Sequence, residues 1–228
     1  MVVVTGAGIS KASGVPTFRG DDGLWRRFRA EDLATPEAFA RDPRLVWEWY
    51  DWRRTLIATC EPNPAHQVLA RWSARPGFTL ITQNVDGLHE RAGTTNVIRF
   101  HGSVWEMRCA SGCGAASWED RQVPLGSLPP PCPSCGGLAR PNVVWFGETI
   151  EPEVLDRSSA AAASAEVFFS IGTSSLVYPA AGLLHHARRN GAFTVEINPR
   201  PAERSVDMPI ASPAEQALPM LDVRVRIG

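Results

Sequence analysis

A surplus of charge is the first thing this sequence lacks. Its 23 Lys+Arg are met by 24 Asp+Glu, for a formal net charge of −1, so it carries no electrostatic footprint for nucleic acid or an anionic membrane surface. It also lacks a long apolar run. The most hydrophobic tract, residues 160–184, is broken by Glu166, several serines, Gly172 and Pro179. That excludes a membrane span, and the tract reads as helix, strand, loop and helix. The opening MVVVTGAGIS has neither a basic n-region nor an extended apolar core, so nothing suggests secretion and a cytoplasmic location is expected. There is no internal repeat and no long low-complexity segment. A chain of 228 residues suits one domain of ordinary size, or a large domain carrying a smaller insert.

What the sequence does have is a series of short β-branched or aromatic runs, each ending abruptly in glycine or small polar residues. MVVVTGAGIS gives way to Gly6-Ala7-Gly8, FTLITQNVDG ends at Gln83-Asn84-Val85-Asp86, and NVIRFHGS ends at His101-Gly102-Ser103. VFFSIGTSS ends at Gly172-Thr173-Ser174 and FTVEINP at Asn198-Pro199. Helical stretches over 64–74, 152–165 and 179–190 separate most of them. Alternating strands and helices predict an α/β fold, a Rossmann-like parallel sheet with helices on both faces. Ligands bind such sheets in the crevice beyond the carboxyl ends of the strands, so the five polar strand ends should converge there, with His101, Asn84, Asp86 and the glycine loop around one cleft. Two segments break the alternation. Residues 32–62 form a helical module and residues 104–145 a Cys-, Pro- and Gly-rich module of a small domain; 1–31, 63–103 and 146–228 are left for the sheet.

Gly6-Ala7-Gly8-Ile9-Ser10 opens a helix after the first strand, where backbone NH groups can hold a pyrophosphate. The full dinucleotide fingerprint is missing, because position 11 is lysine and no second strand ending in an acid follows. A turn that needs glycine only for positive φ is the plainer alternative; Phe18 and Arg19 in the following loop favour phosphate and an aromatic contact. Cys109, Cys113, Cys132 and Cys135, with gaps of three, eighteen and two residues, suit one tetrahedral zinc on two knuckles. Four thiolates leave no open position, so that metal is expected to be structural. Cys60, outside the set, reads as a small buried hydrophobe. His101 is either a satisfied core histidine or, given its company, a neutral general base; His66, His89, His185 and His186 lack that setting.

The stretch WEWYDWRR, Trp47 to Arg54, reads as helix. Trp49, Trp52 and Leu56 share one face and Tyr50 and Arg53 the neighbouring one. Arg54 has Asp51 at helical spacing as an acidic partner, whereas no acid stands three or four residues from Arg53.

Taken together, GAGISKASGVPTFRG, TQNVDGLH, FHGS, the four cysteines, VVWFGE, IGTSSLVYPA and EINP closely resemble the sirtuins, NAD-dependent protein lysine deacylases. The resemblance spans nearly the whole chain. It implies a Rossmann-like domain and a small domain of zinc and helical modules, with NAD in the cleft between them and an acylated lysine of a protein entering through a tunnel. Gly6, Ala7, Gly8 and Ser10 would belong to the pyrophosphate loop, and Thr17, Phe18, Arg19 and Trp25 to the cofactor-binding loop. Gln83, Asn84, Val85 and Asp86 would line the nicotinamide pocket and ribose, with Asn84 and Asp86 counted beside His101 as catalytic. Gly172, Thr173, Ser174, Asn198 and Ala214 would meet the adenosine half. Val144, Trp145, Phe146 and Gly147 in VVWFGE would form the edge to which the peptide adds as a strand. NAD would be consumed, with His101 deprotonating a ribose hydroxyl, and the products would be nicotinamide, free lysine and O-acyl-ADP-ribose.

The Tyr50-x-x-Arg53 spacing matches the sirtuin branch that removes succinyl and malonyl groups, and a carboxylate-ended acyl chain suits a planar cationic fork beside a hydroxyl donor. Acetyl removal is expected as well. Lys11 departs from the alanine common in the family, and with Met1 already within the first strand, either that strand is expected to be short or the true start to lie upstream. Alternatives are NAD-dependent mono-ADP-ribosyl transfer, a hydride-transferring dehydrogenase and a zinc-ribbon binding module. No direct partner among nucleic acids or membranes is expected; the oligomeric state is not written in the sequence, and a monomer is the expectation.

Overall fold

Val2–Thr5 and Val167–Ile171 are β-branched or aromatic with little polar alternation, the pattern of strands covered on both faces. In the computed structural model they are neighbours at the centre of a six-stranded sheet. The structure describes residues 1–17, 29–173, 179–201 and 206–227, with residues 224–227 by backbone alone. The strands are β1 (Val2–Thr5), β2 (Thr79–Thr82), β3 (Val97–Arg99), β4 (Gly102–Cys109), β5 (Trp118–Glu119), β6 (Ala139–Val143), β7 (Val167–Ile171), β8 (Phe193–Ile197) and β9 (Met208–Ile210). The helices are α1 (Ala30–Leu33), α2 (Pro36–Arg41), α3 (Pro43–Thr59), α4 (Pro64–Trp72), α5 (Leu88–Arg91), α6 (Pro152–Ala163), α7 (Ala180–Arg189) and α8 (Ala214–Ile227), and a 3-10 helix spans Ala7–Ser13.

The large sheet runs β3-β2-β1-β7-β8-β9 with every pairing parallel. The chain works outward from β1 to β3 and then restarts beside β1 with β7, so the winding reverses between β1 and β7. Register aligns the strand ends there: Thr5 lies opposite both Thr82 and Ile171, and Ile171 opposite Ile197. The period-two alternation of side chains divides the core. Val3, Leu80, Phe169, Ile171, Val195 and Ile197 pack under α4 and α8; Val2, Val4, Ile81, Ile98 and Phe168 pack under α6 and α7. Each such side chain, fully buried, contributes on the order of 1.5–3 kcal/mol.

Three helix starts share one local grammar, a capping residue followed by proline: Thr35-Pro36, Asp42-Pro43 and Asn63-Pro64. Their side chains accept from the backbone NH of Ala38, Leu45 and Ala65, and proline has no NH to leave orphaned at the first turn. Helix α3 lies against a second, antiparallel sheet of order β5-β4-β6. Trp47, Trp49, Tyr50, Trp105, Met107 and Trp145 form the core between them, and the Trp47 indole NH donates to the Ala139 carbonyl at 2.8 Å.

Several expectations need correction. The run NVIRFHGS ends near His101 as expected, with β3 stopping at Arg99 and a turn through Phe100-His101, but a new strand, β4, starts at once at Gly102. Gly102 makes that turn possible: its φ is +78°, and a Cβ there would lie 2.1 Å from the Asn142 carbonyl oxygen. The cysteine-bearing insert holds more strand than its weak periodicity suggested, since β4 runs eight residues and pairs with β6 through a register shift. Strand β9 and helix α8 were not anticipated. Asp51 acts on Arg54 through its charge but is not its hydrogen-bonding partner. The buried Arg54 donates through Nη2 to Asp120 Oδ1 at 2.6 Å and to the Asp120 and Gln122 carbonyls, while Asp51 accepts the Leu125 NH. Tertiary packing thus overrides the helical spacing and uses both acids to tie α3 to the insert.

The glycine loop is correctly placed, but positive φ is not what it needs. Gly6 has φ −124° and Gly8 is not among the glycines of positive φ. A Cβ on Gly8 would instead lie 2.7 Å from the Gly172 carbonyl oxygen, and one on Gly172, whose φ is +59°, 2.5 Å from the Ile9 nitrogen. Gly172→Ala should therefore cost well over 2 kcal/mol in urea unfolding, from steric overlap added to strain. Gly191→Ala, at φ +91° with nothing within 4 Å of the new Cβ, should cost only about 1–2 kcal/mol. Equal losses would show that the close approach contributes nothing.

Candidate active site

Loops leaving β1, β2, β7 and β8 are joined by side chains at the level where the winding reverses. Asn84 donates through Nδ2 to the Gly6 carbonyl and to Ser10 Oγ, both at 3.1 Å. Gln83 Nε2 donates to Thr173 Oγ1 at 3.0 Å, and Asn198 Nδ2 to the Thr173 carbonyl at 2.9 Å. The Gly8 NH donates to the Gly172 carbonyl at 2.8 Å. One region therefore gathers Gly6, Ala7, Gly8, Ser10, Gln83, Asn84, Gly172, Thr173 and Asn198, as the strand ends predicted. Thr17 is half-buried, and Lys11 is exposed on the 3-10 helix. Phe18, Arg19, Trp25 and Ser174 lie outside the described residues. Val85 and Ala214 are mainly core: Val85 packs with the small-sheet cluster and Ala214 with Ile9 and Ile197, so each has chiefly its backbone to offer a ligand.

Asp86 is buried, and its two oxygens accept from Ser10 Oγ at 2.8 Å and the Leu88 NH at 2.9 Å. Burial raises its pKa, opposed by those two bonds and by the Arg53 cation. Its carbonyl accepts the Trp105 indole NH at 2.7 Å, a support that the sequence reading missed. The signal available was the indole NH itself, which needs a partner when buried. His101, at the β3–β4 turn, has Nδ1 3.1 Å from the Gln83 carbonyl. A carbonyl only accepts, so Nδ1 carries the hydrogen and Nε2 keeps its lone pair. Burial lowers the His101 pKa, partly offset by that bond; the imidazole is neutral at pH 7, the state a base requires.

Tyr50 and Arg53 are both buried on α3. Desolvation pushes the Tyr50 pKa up to about 12, so the phenol keeps its proton at any working pH. Burial lowers that of Arg53, opposed by Tyr50 and Asp86; even so a guanidinium stays charged. The Arg53 guanidinium carbon stands 5.3 Å from the Trp49 ring centroid. The Arg53 and Asp86 charges act on each other, and Tyr50 shares one core with Val85, the residue before Asp86. Trp145 donates its indole NH to Tyr50 Oη at 2.9 Å, a contact no sequence spacing suggests.

Val144–Gly147 follow β6 as a turn. The NH groups of Val144, Trp145 and Phe146 are taken by the His101 carbonyl, Glu148 Oε2 and the Ala34 carbonyl. The Trp145 carbonyl accepts the Glu148 NH at 3.0 Å, and Phe146 and Gly147 are exposed.

Cys109, Cys113, Cys132 and Cys135 bring their Sγ atoms within 4.8 Å of one another, with Cys109–Cys135 at 3.7 Å and Cys113–Cys132 at 3.8 Å. Those separations far exceed a disulfide bond and match the spacing of about 3.8 Å between thiolates placed tetrahedrally around a metal at about 2.3 Å. Cys60 is buried apart from them, with its thiol toward the Leu56 carbonyl.

Beneath the site lies a pair of histidines. His89 Nε2 meets Thr5 Oγ1 at 2.9 Å, and because that hydroxyl donates onward to Thr82 Oγ1 the imidazole must be the donor. His66 Nδ1 accepts the Asn63 NH at 3.3 Å, and the two rings are 4.8 Å apart. Burial pushes His66 down to about 2, helped by His89, and His89 down to about 3. Both are neutral in the native state, whereas the unfolded chain binds their protons near pH 6.5. The native state therefore loses stability as pH falls through 6.5. Between pH 7.5 and 5.5 the loss should be about 1.4 kcal/mol for each of the two. Urea unfolding across that range should show the slope, and His89→Gln should reduce it; a flat profile would contradict the buried neutral pair.

The Sir2 family pattern matches residues 6–179. An NAD-dependent protein deacylase of Aquifex aeolicus is 51% identical over 221 residues, which cover 96% of this chain and 92% of the relative. One from Pyrobaculum aerophilum is 48% identical over 228 residues, covering 99% and 90%. Among solved structures, a Sir2 homologue in complex with NAD superposes with a TM-score of 0.92 at 44% identity, covering 99% of this chain and 89% of that one. A complex described as Sir2, p53 peptide and NAD+ gives 0.87 at 29% identity, covering 100% and 93%. The similarity takes in the parallel sheet, the strand-end loops and the cysteine-bearing insert alike, and the chain belongs to the Sir2 family.

Proposed function

We propose that this protein is an NAD-dependent protein lysine deacylase that favours acyl groups ending in a carboxylate, succinyl and malonyl foremost, while also accepting acetyl. Support for the general activity comes from the names of the relatives together with the strand-end cleft. The Gly6 and Gly8 NH groups, bonded to the Ile171 and Gly172 carbonyls, hold the Ala7–Ser10 turn against the end of β7, and Thr173 and Asn198 lie on the other side of the winding reversal, where parallel sheets receive dinucleotides. NAD, consumed as co-substrate, supplies a nicotinamide–ribose bond that is exchanged for a bond to the acyl oxygen. His101 Nε2, held in its tautomer by the Gln83 carbonyl, accepts a proton from a hydroxyl in the cleft. Ser10 holds Asn84 and Asp86 by direct hydrogen bonds, which fixes these polar groups before the ligand arrives.

The acyl preference is supported by one observation: Tyr50 and Arg53 are buried together on α3, three residues apart on one face. A protonated phenol and a guanidinium in a low-dielectric pocket offer donors to a carboxylate, and a methyl group uses neither. A panel of acyl-lysine peptides with NAD, read by mass spectrometry, should show higher kcat/KM for the succinylated than for the acetylated peptide. Arg53→Met should cut that advantage on the order of 100-fold. Equal rates on both peptides, unmoved by the substitution, would reject the clamp. Labelled NAD leaving its label on protein would point to mono-ADP-ribosyl transfer.

We assign the four cysteines one structural zinc. All four sulfurs are spent as ligands, so the metal ties β4 to the loop before β6 and takes no part in the reaction. Elemental analysis should find one zinc per chain, and Cys132→Ser should lose it with a lower melting temperature, because metal binding here is folding free energy. Full stability without zinc would refute the assignment.

A further inference from the structure

Resting on the reading of Tyr50 and Arg53 as an acyl-carboxylate clamp, we infer that Trp145, locked in place by Arg140 and Glu148, is the positioning residue that makes the Tyr50 hydroxyl a hydrogen-bond donor to that carboxylate. None of the three was marked by the sequence for this role. Glu148 receives Arg140 as a two-pronged ion pair, Nη1 to Oε1 at 2.6 Å and Nη2 to Oε2 at 2.9 Å, and Oε2 also accepts the Trp145 backbone NH at 2.9 Å. Arg140 Nη2 reaches the Val143 carbonyl at 3.2 Å. Its guanidinium carbon lies 3.4 Å from the Trp145 ring centroid, a stacked contact that a planar cation makes and an ammonium does not. Phe39 packs on Trp145 with ring centroids 5.2 Å apart. The indole is held through both its backbone and its ring.

Its NH then has one direction, toward Tyr50 Oη at 2.9 Å. An indole nitrogen only donates, so the phenol oxygen must accept. A phenolic O–H lies in the plane of its ring in one of two positions. With the indole hydrogen occupying one side, the hydroxyl hydrogen takes the other. Arg53 is likewise a pure donor, so neither Trp145 nor Arg53 can receive the Tyr50 proton. With the indole NH spent on the phenol oxygen, the phenol O–H and the guanidinium N–H groups are all donors, and their natural complement is an anion with several lone pairs. The same turn carries Phe146 and Gly147, so the acyl end of the substrate and its peptide backbone are read by one short segment.

The test is steady-state kinetics of the full chain with NAD and matched succinyl- and acetyl-lysine peptides. Trp145→Phe keeps an aromatic ring and removes the NH. It should lower the succinyl-to-acetyl ratio of kcat/KM by roughly three- to tenfold, with the loss falling on KM for the succinyl peptide. Tyr50→Phe should lower the ratio at least as far, and the double variant should fall no further than Tyr50→Phe alone, because the two act as one unit. Arg140→Lys, which keeps the charge but not the stacked fork, should give a smaller fall in the same direction and decides the matter if Trp145→Phe does not fold. An unchanged ratio in the folded variants, or fully multiplicative effects in the double variant, overturns the role of Trp145. Wild-type protein without a succinyl preference overturns the clamp itself, a result distinct from a preference that Arg53→Met removes and Trp145→Phe leaves intact.

Discussion

Gly8 and Gly172 meet backbone to backbone, and the site depends on that approach. The contact joins the turn after β1 to the turn after β7 where the sheet reverses its winding, with the Gly8 NH bonded to the Gly172 carbonyl at 2.8 Å. A side chain at either position would intrude on the other turn. With the two turns this close, Thr173 lies within reach of both Gln83 and Asn198, and Asn84 can bridge Gly6 and Ser10. Residues nearly two hundred positions apart in sequence thereby become one polar surface, pre-arranged by hydrogen bonds that form on folding.

The smaller part of the molecule solves a different problem, how to keep cations inside an aromatic core. Arg53, Arg54 and Arg140 are all buried, and each lies over a tryptophan, Trp49 at 5.3 Å, Trp105 at 5.4 Å and Trp145 at 3.4 Å. A guanidinium is weakly hydrated and planar, so an aromatic face offsets part of its desolvation. The three then diverge in use. Arg54 fastens α3 to the insert through Asp120, Arg140 fastens the VVWFGE turn through Glu148, and Arg53 shares one face of α3 with Tyr50.

Much of this was legible in advance. Strands ending in glycine or amides, separated by helices with proline at their first turn, are local patterns with local causes, and they located the parallel sheet and the polar strand ends. The cysteine spacing was equally direct, because two short knuckles impose their geometry within a few residues. Contacts made at long range were not legible. Arg54 had an acid at helical spacing, yet it pairs with Asp120, sixty-six positions away, since the insert covers that face of α3 and Asp51 is drawn to the Leu125 NH. Gly102-Ser103 after His101 marked the end of a strand, but only the approach of Asn142 to Gly102 shows that the next strand starts there and pairs with β6.

The sequence by itself determined the alternation of elements, the order of polar strand ends, the set of four cysteines that come together and the pairing of a tyrosine with an arginine on one helical face, because each follows from spacing along the chain. Tertiary structure alone decided which glycine needs room and which needs positive φ, which acid holds Arg54, and which group faces the Tyr50 hydroxyl. Those outcomes depend on how separate segments pack, and the indole that meets Tyr50 comes from ninety-five residues farther along the chain.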